Sequence, residues 1–243
     1  MLPKVAIICA NYNYGRYIIE GMKSALNQTY GGPLQLYVVD DGSSDGSWLK
    51  ISQFAKDKDN VYVKRIENSG ASVARNTAME MCWEWADIIG VLDADDEYKP
   101  NKVEKLVEKL MEHQEIGVAY GDYDIHREYG DKHYVKYEAK SPYCRKELSV
   151  RCMVHSNALI KKEYLEKVIL PNGEIFDSRL HGPASQGFIG CTEDYDLWLR
   201  LSYHCIMCHV PESLSIVNES GQNQSMKMTP EIFQQQAQIL GSR

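Results

Sequence analysis

Asp93-Ala94-Asp95 sets two carboxylates at i and i+2 directly behind the apolar run Ile88–Leu92. On an extended backbone, side chains two apart point to one side. Two such carboxylates, joined by phosphate oxygens, suit a hard divalent cation such as Mg2+ or Mn2+. A second acidic group, Asp40-Asp41-Gly42-Ser43, follows the apolar run Leu34–Val39. A carboxylate there can accept hydrogen bonds from a nucleobase or a ribose, although Asp-Gly-Ser is also ordinary turn chemistry. A third, Glu193-Asp194-Tyr195-Asp196, precedes apolar residues at 197, 198 and 201. That spacing is helical, so Asp194 opens a helix, where it serves either as a proton acceptor or as a cap. Each group taken singly also reads as a solvated acidic turn.

The elements that must position these groups alternate in type. Val5–Ala10, Leu34–Val39, Val61–Ile66 and Ile88–Leu92 read as strands. Between and after them come helical stretches over Gly15–Gln28, a segment capped by Asp45 that carries Trp48, Leu49, Ser52 and Ala55, then Gly70–Ala86 and Pro100–His113. Ile18, Ile19, Met22, Ala25 and Leu26 form one apolar stripe, and Val103, Leu106, Val107 and Leu110 form another. Strand alternating with helix predicts an α/β fold on a mainly parallel sheet flanked by helices. Ligands of such sheets bind beyond the carboxyl ends of the strands, and both aspartate groups fall at such ends. After about residue 114 the pattern loosens: strands over Ile116–Ile125, His133–Tyr137 and Asn157–Ile160, a short helix over Lys162–Val168, and a helical tail over Pro230–Leu240. The segment Gly182–Gly190, with three glycines and no apolar period, is expected to be a mobile loop that closes over a site. With neither repeats nor a separating linker, the sequence predicts one domain over 1–243.

Composition narrows the function. A formal net charge of −7 argues against nucleic acid as a partner, because phosphate contacts need a basic face. It does not argue against an anionic substrate, since a divalent cation reverses the local field. Nothing in the chain reads as a transmembrane segment or a signal peptide, and peripheral contact with a membrane stays open. Seven scattered cysteines make no disulfide framework and favour a cytoplasmic, reduced setting. His204-Cys205-Ile206-Met207-Cys208-His209 is read either as a zinc cluster or as an apolar strand using small thiols, the second being the simpler.

Five motifs follow one another along the chain: Asn11-Tyr12-Asn13; Val39-Asp40-Asp41-Gly42-Ser43-Ser44-Asp45; Asn68-Ser69-Gly70-Ala71-Ser72-Val73-Ala74-Arg75-Asn76; Leu92-Asp93-Ala94-Asp95-Asp96; and Glu193-Asp194-Tyr195-Asp196-Leu197-Trp198-Leu199-Arg200. In this order they resemble the motif set of the family-2 glycosyltransferases, inverting enzymes with the GT-A fold, from residue 5 to about 225. The resemblance implies transfer of a sugar from a nucleotide-diphosphate sugar to the hydroxyl of a saccharide or other acceptor, with Mn2+ or Mg2+ as cofactor. It divides the chain into a nucleotide-binding half, about 1–113, and an acceptor-side half, about 114–243. By position it implies a nucleotide pocket of Ala10, Asn11, Tyr12, Asp40, Arg75, Asp93 and Ala94. Asp40 would pair with the base, Asp95 would hold the metal, Asp93 would lie near the ribose or the metal, and Asp194 would be the catalytic base. A uridine diphosphate sugar is the expected donor. Asp41 and Asn76 are expected to organise turns and helix starts, and Tyr12 to stack on the base or pack.

The pattern departs from the family at one place. Where many members carry a late histidine that completes the metal site, this chain has Ser220, next to Glu219, so the third ligand is either water or Glu219. Trp83, Trp85, Trp198 and most of the sixteen tyrosines are expected in the core rather than under a sugar. Three rival readings remain: a phosphohydrolase, a nucleotidyltransferase and a non-catalytic nucleotide-sugar binder. The first wants its Asp-x-Asp on strand one and the second a basic, glycine-rich loop there, whereas this chain has Asn11-Tyr12-Asn13-Tyr14. The third has no need of Asp194.

Overall fold

In the computed structural model, residues 1–129, 132–181 and 192–219 are described. The first half runs β1 (Val5–Asn11), α1 (Ile18–Leu26), β2 (Leu34–Asp40), α2 (Ser47–Ala55), β3 (Val61–Arg65), α3 (Ala71–Cys82) and β4 (Ile88–Asp93). β5 (Glu97–Tyr98) and α4 (Lys102–Glu112) complete it, and the second half contains the hairpin β6 (Ile116–Tyr129) and β7 (Lys132–Glu138), α5 (Arg145–Leu148) and β8 (Leu159–Lys161). It continues with α6 (Lys162–Leu165), a 3-10 turn over Glu166–Val168, α7 (Glu193–Leu201) and β9 (Ile206–Glu219). The strands form one sheet in the order β3-β2-β1-β4-β8-β6-β9-β5, with β7 paired to β6.

β1 to β4 are mutually parallel, as the alternation predicts. Antiparallel β8 joins β4 to the second half, where β6 and β9 run parallel to each other. Register sets Asn11 opposite Asp40, and Ala10 opposite both Val39 and Asp93. The carboxyl ends of β1, β2 and β4 are therefore level, which is what gathers the two aspartate groups.

β1 is apolar on both faces because helices cover both. Val5, Ile7 and Cys9 pack with Ile18, Met22, Val103, Leu106 and Leu110, while Ala6 and Ile8 pack with Ala74, Ala78, Leu197 and Trp198. All four residues of the α4 stripe are buried. Trp198, on α7, is only 1% exposed, and Trp83 and Trp85 pack against the same core, so these rings fill the interior. Trp198→Ala should lower the unfolding free energy by about 3–5 kcal/mol through lost burial and a residual cavity, read from the urea midpoint.

Several boundaries differ from the sequence reading. α1 starts at Ile18 rather than Gly15 because residues 12–17 are used as a turn: Asn13 has φ 61° and Gly15 N donates to Asp45 Oδ2 at 2.7 Å. Asp45 sits one residue before the cap of α2, which is Gly46 in the left-handed region, yet its carboxylate accepts the Ser47 N–H at 3.0 Å. α3 ends at Cys82, four residues short of the expected Ala86, and its C-cap is Trp83. β9 is much longer than the apolar run around Cys205 suggests, and shifts of register beside Gly121 and Asp122 interrupt its alternation. Within it Cys208 packs against the core and His209 Nε2 lies 2.7 Å from Asp122 Oδ1.

No helix of the described residues is long and apolar enough to cross a membrane. The Gly182–Gly190 loop, Ser220 and the Pro230–Leu240 helix lie outside the described residues.

Candidate active site

A cavity of about 340 Å3 opens at the carboxyl ends of β1, β2 and β4. One wall comes from the first half and includes Ala10, Asn11, Tyr12, Asp41, Gly70 and Arg75; the floor is Asp93 to Asp96. The other comes from the second half and includes Lys140, Val154, His155, Ser156 and Asp194. Of the residues expected at the site, the structure gathers Ala10, Asn11, Tyr12, Arg75, Asp93, Ala94, Asp95 and Asp194 here.

Asp40 is the exception. It is fully buried and does not line the cavity. Its Oδ2 accepts from Asn11 Nδ2 at 2.8 Å, and its Oδ1 accepts from Ser43 N at 3.0 Å with Arg65 Nε at 3.3 Å. Successive residues at a strand end point to opposite sides, so Asp41 takes the cavity position instead. Asp41 also organises the start of α3, as expected, accepting the Ser69 N–H at 2.7 Å and the Gly70 N–H at 2.9 Å. Burial holds its carboxyl above the usual carboxylate range despite those bonds. The turn after β2 needs a left-handed residue: Gly42 has φ 75°, and a Cβ there would come 2.9 Å from Asn68 N. Asn11 lies on the cavity wall, but its amide points inward to Asp40 and, at 2.9 Å, to Ser47 Oγ. Asn76 accepts the Ile175 and Phe176 N–H groups at 3.2 and 2.9 Å and so ties α3 to the second half.

Asp93, Ala94 and Asp95 are not extended. β4 ends at Asp93, and a turn closed by Asp96 N to Asp93 O, at 3.0 Å, carries the next residues. The turn still presents both carboxylates to the cavity. Asp93 accepts from Arg75 Nη2 at 2.8 Å and from Ser156 Oγ at 2.5 Å; those donors, with Arg75's charge, hold it below the usual range against the effect of burial. Burial first, and then the Asp93 charge, push Asp95 up to about 7, although the Tyr14 hydroxyl donates to it. Burial, and then the Asp95 and Asp93 charges, hold Asp96 well above the usual carboxylate range, although Asn157 Nδ2 donates to it at 2.7 Å. Three crowded carboxylates with one guanidinium between them form an electrostatic setting that a divalent cation would relieve. Asp93 and Asp95 are hard oxygen donors and fit that ion. Among the described residues no set of three or more His, Cys, Asp or Glu side chains converges as metal ligands, so Asp93 and Asp95 would leave positions for phosphate oxygens and water. Glu219 is not such a ligand: both its oxygens meet the Arg127 guanidinium across β6 and β9.

Arg75 joins the two halves. One nitrogen reaches Asp93 and another pairs with Glu193, and the guanidinium is 11% exposed. Those two carboxylates keep it charged against burial. Glu193 also has His181 Nδ1 2.9 Å from Oε1, in ion-pair contact without hydrogen-bond alignment. Burial alone would raise Glu193, but His181 and Arg75 bring it down to about 2. Asp194, next in the chain, behaves oppositely: burial and the adjoining Glu193 charge push it up to about 7. The cap of α7 is Thr192, which places Asp194 inside the first turn rather than at the cap. Asp196 is committed to Arg200 Nε at 2.9 Å.

Sequence reasoning missed Lys140, Cys152, Val154, Ser156 and Asn157. None belongs to a motif; β8 pairs with β4 and so brings residues 152–157 to the site, while Lys140 follows the β6–β7 hairpin and is tied to it by Asp122. Asn157 had the only readable hint, a polar residue at the start of an apolar run, and its Oδ1 accepts the Asp93 N–H at 3.2 Å.

The sequence and the fold have known relatives. Glycosyltransferase GlyG of Streptococcus pneumoniae serotype 4 is 28% identical over 194 residues, which cover 73% of this chain and 63% of that protein. Among solved structures, S. aureus TarS 1–349 in complex with UDP superposes with TM-score 0.67 at 17% identity, over 95% of this chain and 62% of that one. Mannosyltransferase PcManGT from Pyrobaculum calidifontis, in complex with GDP-Man and Mn2+, gives TM-score 0.65 at 19% identity, over 93% of this chain and 60% of that one. The chain thus spans about three fifths of the length of each. At these identities the solved structures establish the fold, which is GT-A. The match to the family described as Glycosyl transferase family 2 runs over residues 6–169, most of the chain and both sides of the cavity, and the protein therefore belongs to glycosyl transferase family 2.

Proposed function

We propose that this chain transfers a sugar from a nucleotide-diphosphate sugar to an acceptor hydroxyl with inversion, assisted by a divalent cation, Mn2+ or Mg2+. The observation that carries the reading is the cavity itself, where Asp93 and Asp95 from β4 share one space with Asp194 from α7. Leaving-group support and proton acceptance would thereby be available within one cavity. The family and the nucleotides bound to TarS and PcManGT support the same chemistry. A cation held by Asp95 and Asp93 would stabilise the charge that develops on the departing diphosphate. Asp194 would take the proton of the attacking hydroxyl, while Arg75 fixes Asp93 and Glu193 relative to one another.

Asp41, in place of Asp40, is assigned to the base. Two backbone N–H groups and the Asn68 amide already occupy its oxygens. That leaves room for one further donor, the N3–H of uracil or thymine, rather than the paired donors of guanine. Calorimetry should find UDP bound more tightly than GDP, and Asp41→Asn should weaken UDP about tenfold or more, the loss of one charge-assisted hydrogen bond. GDP binding as tightly as UDP would remove the uridine assignment. Asp40→Ala should instead lower stability by about 1–3 kcal/mol, since it strands buried donors, and leave UDP affinity of the folded protein unchanged.

A further inference from the structure

Among the described residues the cavity is lined by one arginine and one lysine, and they are differently placed. Arg75 is neutralised by Asp93 and Glu193. Lys140 is half-buried on the wall contributed by the second half and forms no ion pair with the described residues; Glu138 pairs with Lys136 and Asp122 with His209 instead. Its backbone is fixed. Asp122, 1% exposed, accepts the Lys140 N–H at 2.6 Å while also holding the Tyr137 hydroxyl, and Ser141 O accepts from the Tyr120 hydroxyl at 2.7 Å. Its Nζ lies 5.4 Å from the centre of the Tyr123 ring, which itself packs on His155 at 4.6 Å. His155 adds no competing charge, because burial and Lys140 hold it neutral, down to about 3.

A hydroxyl acceptor bearing no charge has no use for an unpaired, partly desolvated ammonium beside the site, whereas a phosphate does. The rest of that wall adds Cys152, Val154, His155 and Ser156, with Asp194 as its acid next to Glu193. We infer that Lys140 forms an anion subsite on the acceptor side of the cavity, and that the acceptor carries a phosphate near the hydroxyl that receives the sugar. This deepens the transferase reading and rests on it for the word acceptor. The same charge could serve the diphosphate of the donor, and the experiment separates the two sources.

Glucose 1-phosphate and glucose are the probes, titrated by calorimetry or ligand-observed NMR into the protein with Mn2+, both with and without UDP. The wild type should bind glucose 1-phosphate at least tenfold more tightly than glucose. Lys140→Met should close that gap to about twofold, Lys140→Arg should keep it, and UDP affinity should be the same in all three. A gap that is absent in the wild type, or that survives Lys140→Met, would overturn the subsite. So would a loss of UDP affinity in Lys140→Met, which would give the lysine to the donor diphosphate. Failure of the wild type to bind UDP would count against the nucleotide-sugar reading instead, and the comparison of the two probes without UDP would still decide the role of Lys140.

Discussion

Replacing Asp194 with asparagine is expected to give a folded, UDP-binding protein whose sugar transfer is slower by roughly 100-fold or more. Direct displacement at the anomeric carbon requires the acceptor hydroxyl to lose a proton as it attacks. Of the three acids in the first turn of α7, Glu193 is held by Arg75 and His181, and Asp196 by Arg200. Among the described residues Asp194 forms no ion pair, and its Oδ1 accepts the neighbouring Tyr195 N–H at 2.7 Å. Its carboxyl lies up at about 7 because of burial and Glu193, close to the pH at which a general base is both ionised and effective. The base must be deprotonated, so the transfer rate should rise with pH to a plateau above about 7, and that acid limb should vanish in Asp194→Asn.

Stability provides an independent sign. An ordinary aspartate in the unfolded chain titrates near 4 (about 3.9), while the folded carboxyl titrates near 7. Between these values the folded state holds a proton that the unfolded state has lost, so this group's contribution to stability falls as pH rises through that window. Asp194→Asn removes the penalty and should raise Tm at pH 8 relative to the wild type. A purely capping or structural role predicts the opposite, a loss of about 0.5–2 kcal/mol, with activity retained in the folded fraction. Transfer close to the wild-type rate would assign the base elsewhere.

Asp95→Ala should reduce turnover by roughly 10²–10³-fold, the scale seen when one preorganised electrostatic partner of a developing charge is removed. The residue sits in the turn after β4 and is not part of either apolar cluster, so the fold should survive. Mn2+ held by the native state should raise the wild-type Tm, more so with UDP present, and should leave that of Asp95→Ala nearly unmoved. Stripping the metal with excess EDTA should bring the wild type down to the level of the variant, with activity restored by added Mn2+ or Mg2+. Full transfer by metal-free protein would remove the cation from the mechanism and leave Arg75 as the positive charge that Asp93 meets among the described residues.

The strand and helix types of the first half could be read directly, because each element there satisfies its own pattern. β1, β2 and β4 are apolar runs between turn residues, and α4 shows four apolar residues at helical spacing, all of them buried. That the aspartate groups gather at one edge of the sheet also followed from sequence, since parallel connections return the chain to the same edge. Tertiary structure decided the rest. Which of Asp40 and Asp41 faces the cavity depends on where β2 ends, and a single residue reverses the side; the Asn11, Ser43 and Arg65 contacts fix it. The meeting of Arg75 with Glu193, 118 residues apart, is a long-range contact; the arrival of Ser156 and Asn157 at Asp93 depends on β8 pairing antiparallel with β4, and Lys140 is placed by Asp122 of β6. These are polar residues in loops or beside a three-residue strand, with no period of their own, and a long-range pairing that local propensity does not encode is what brings them to the site.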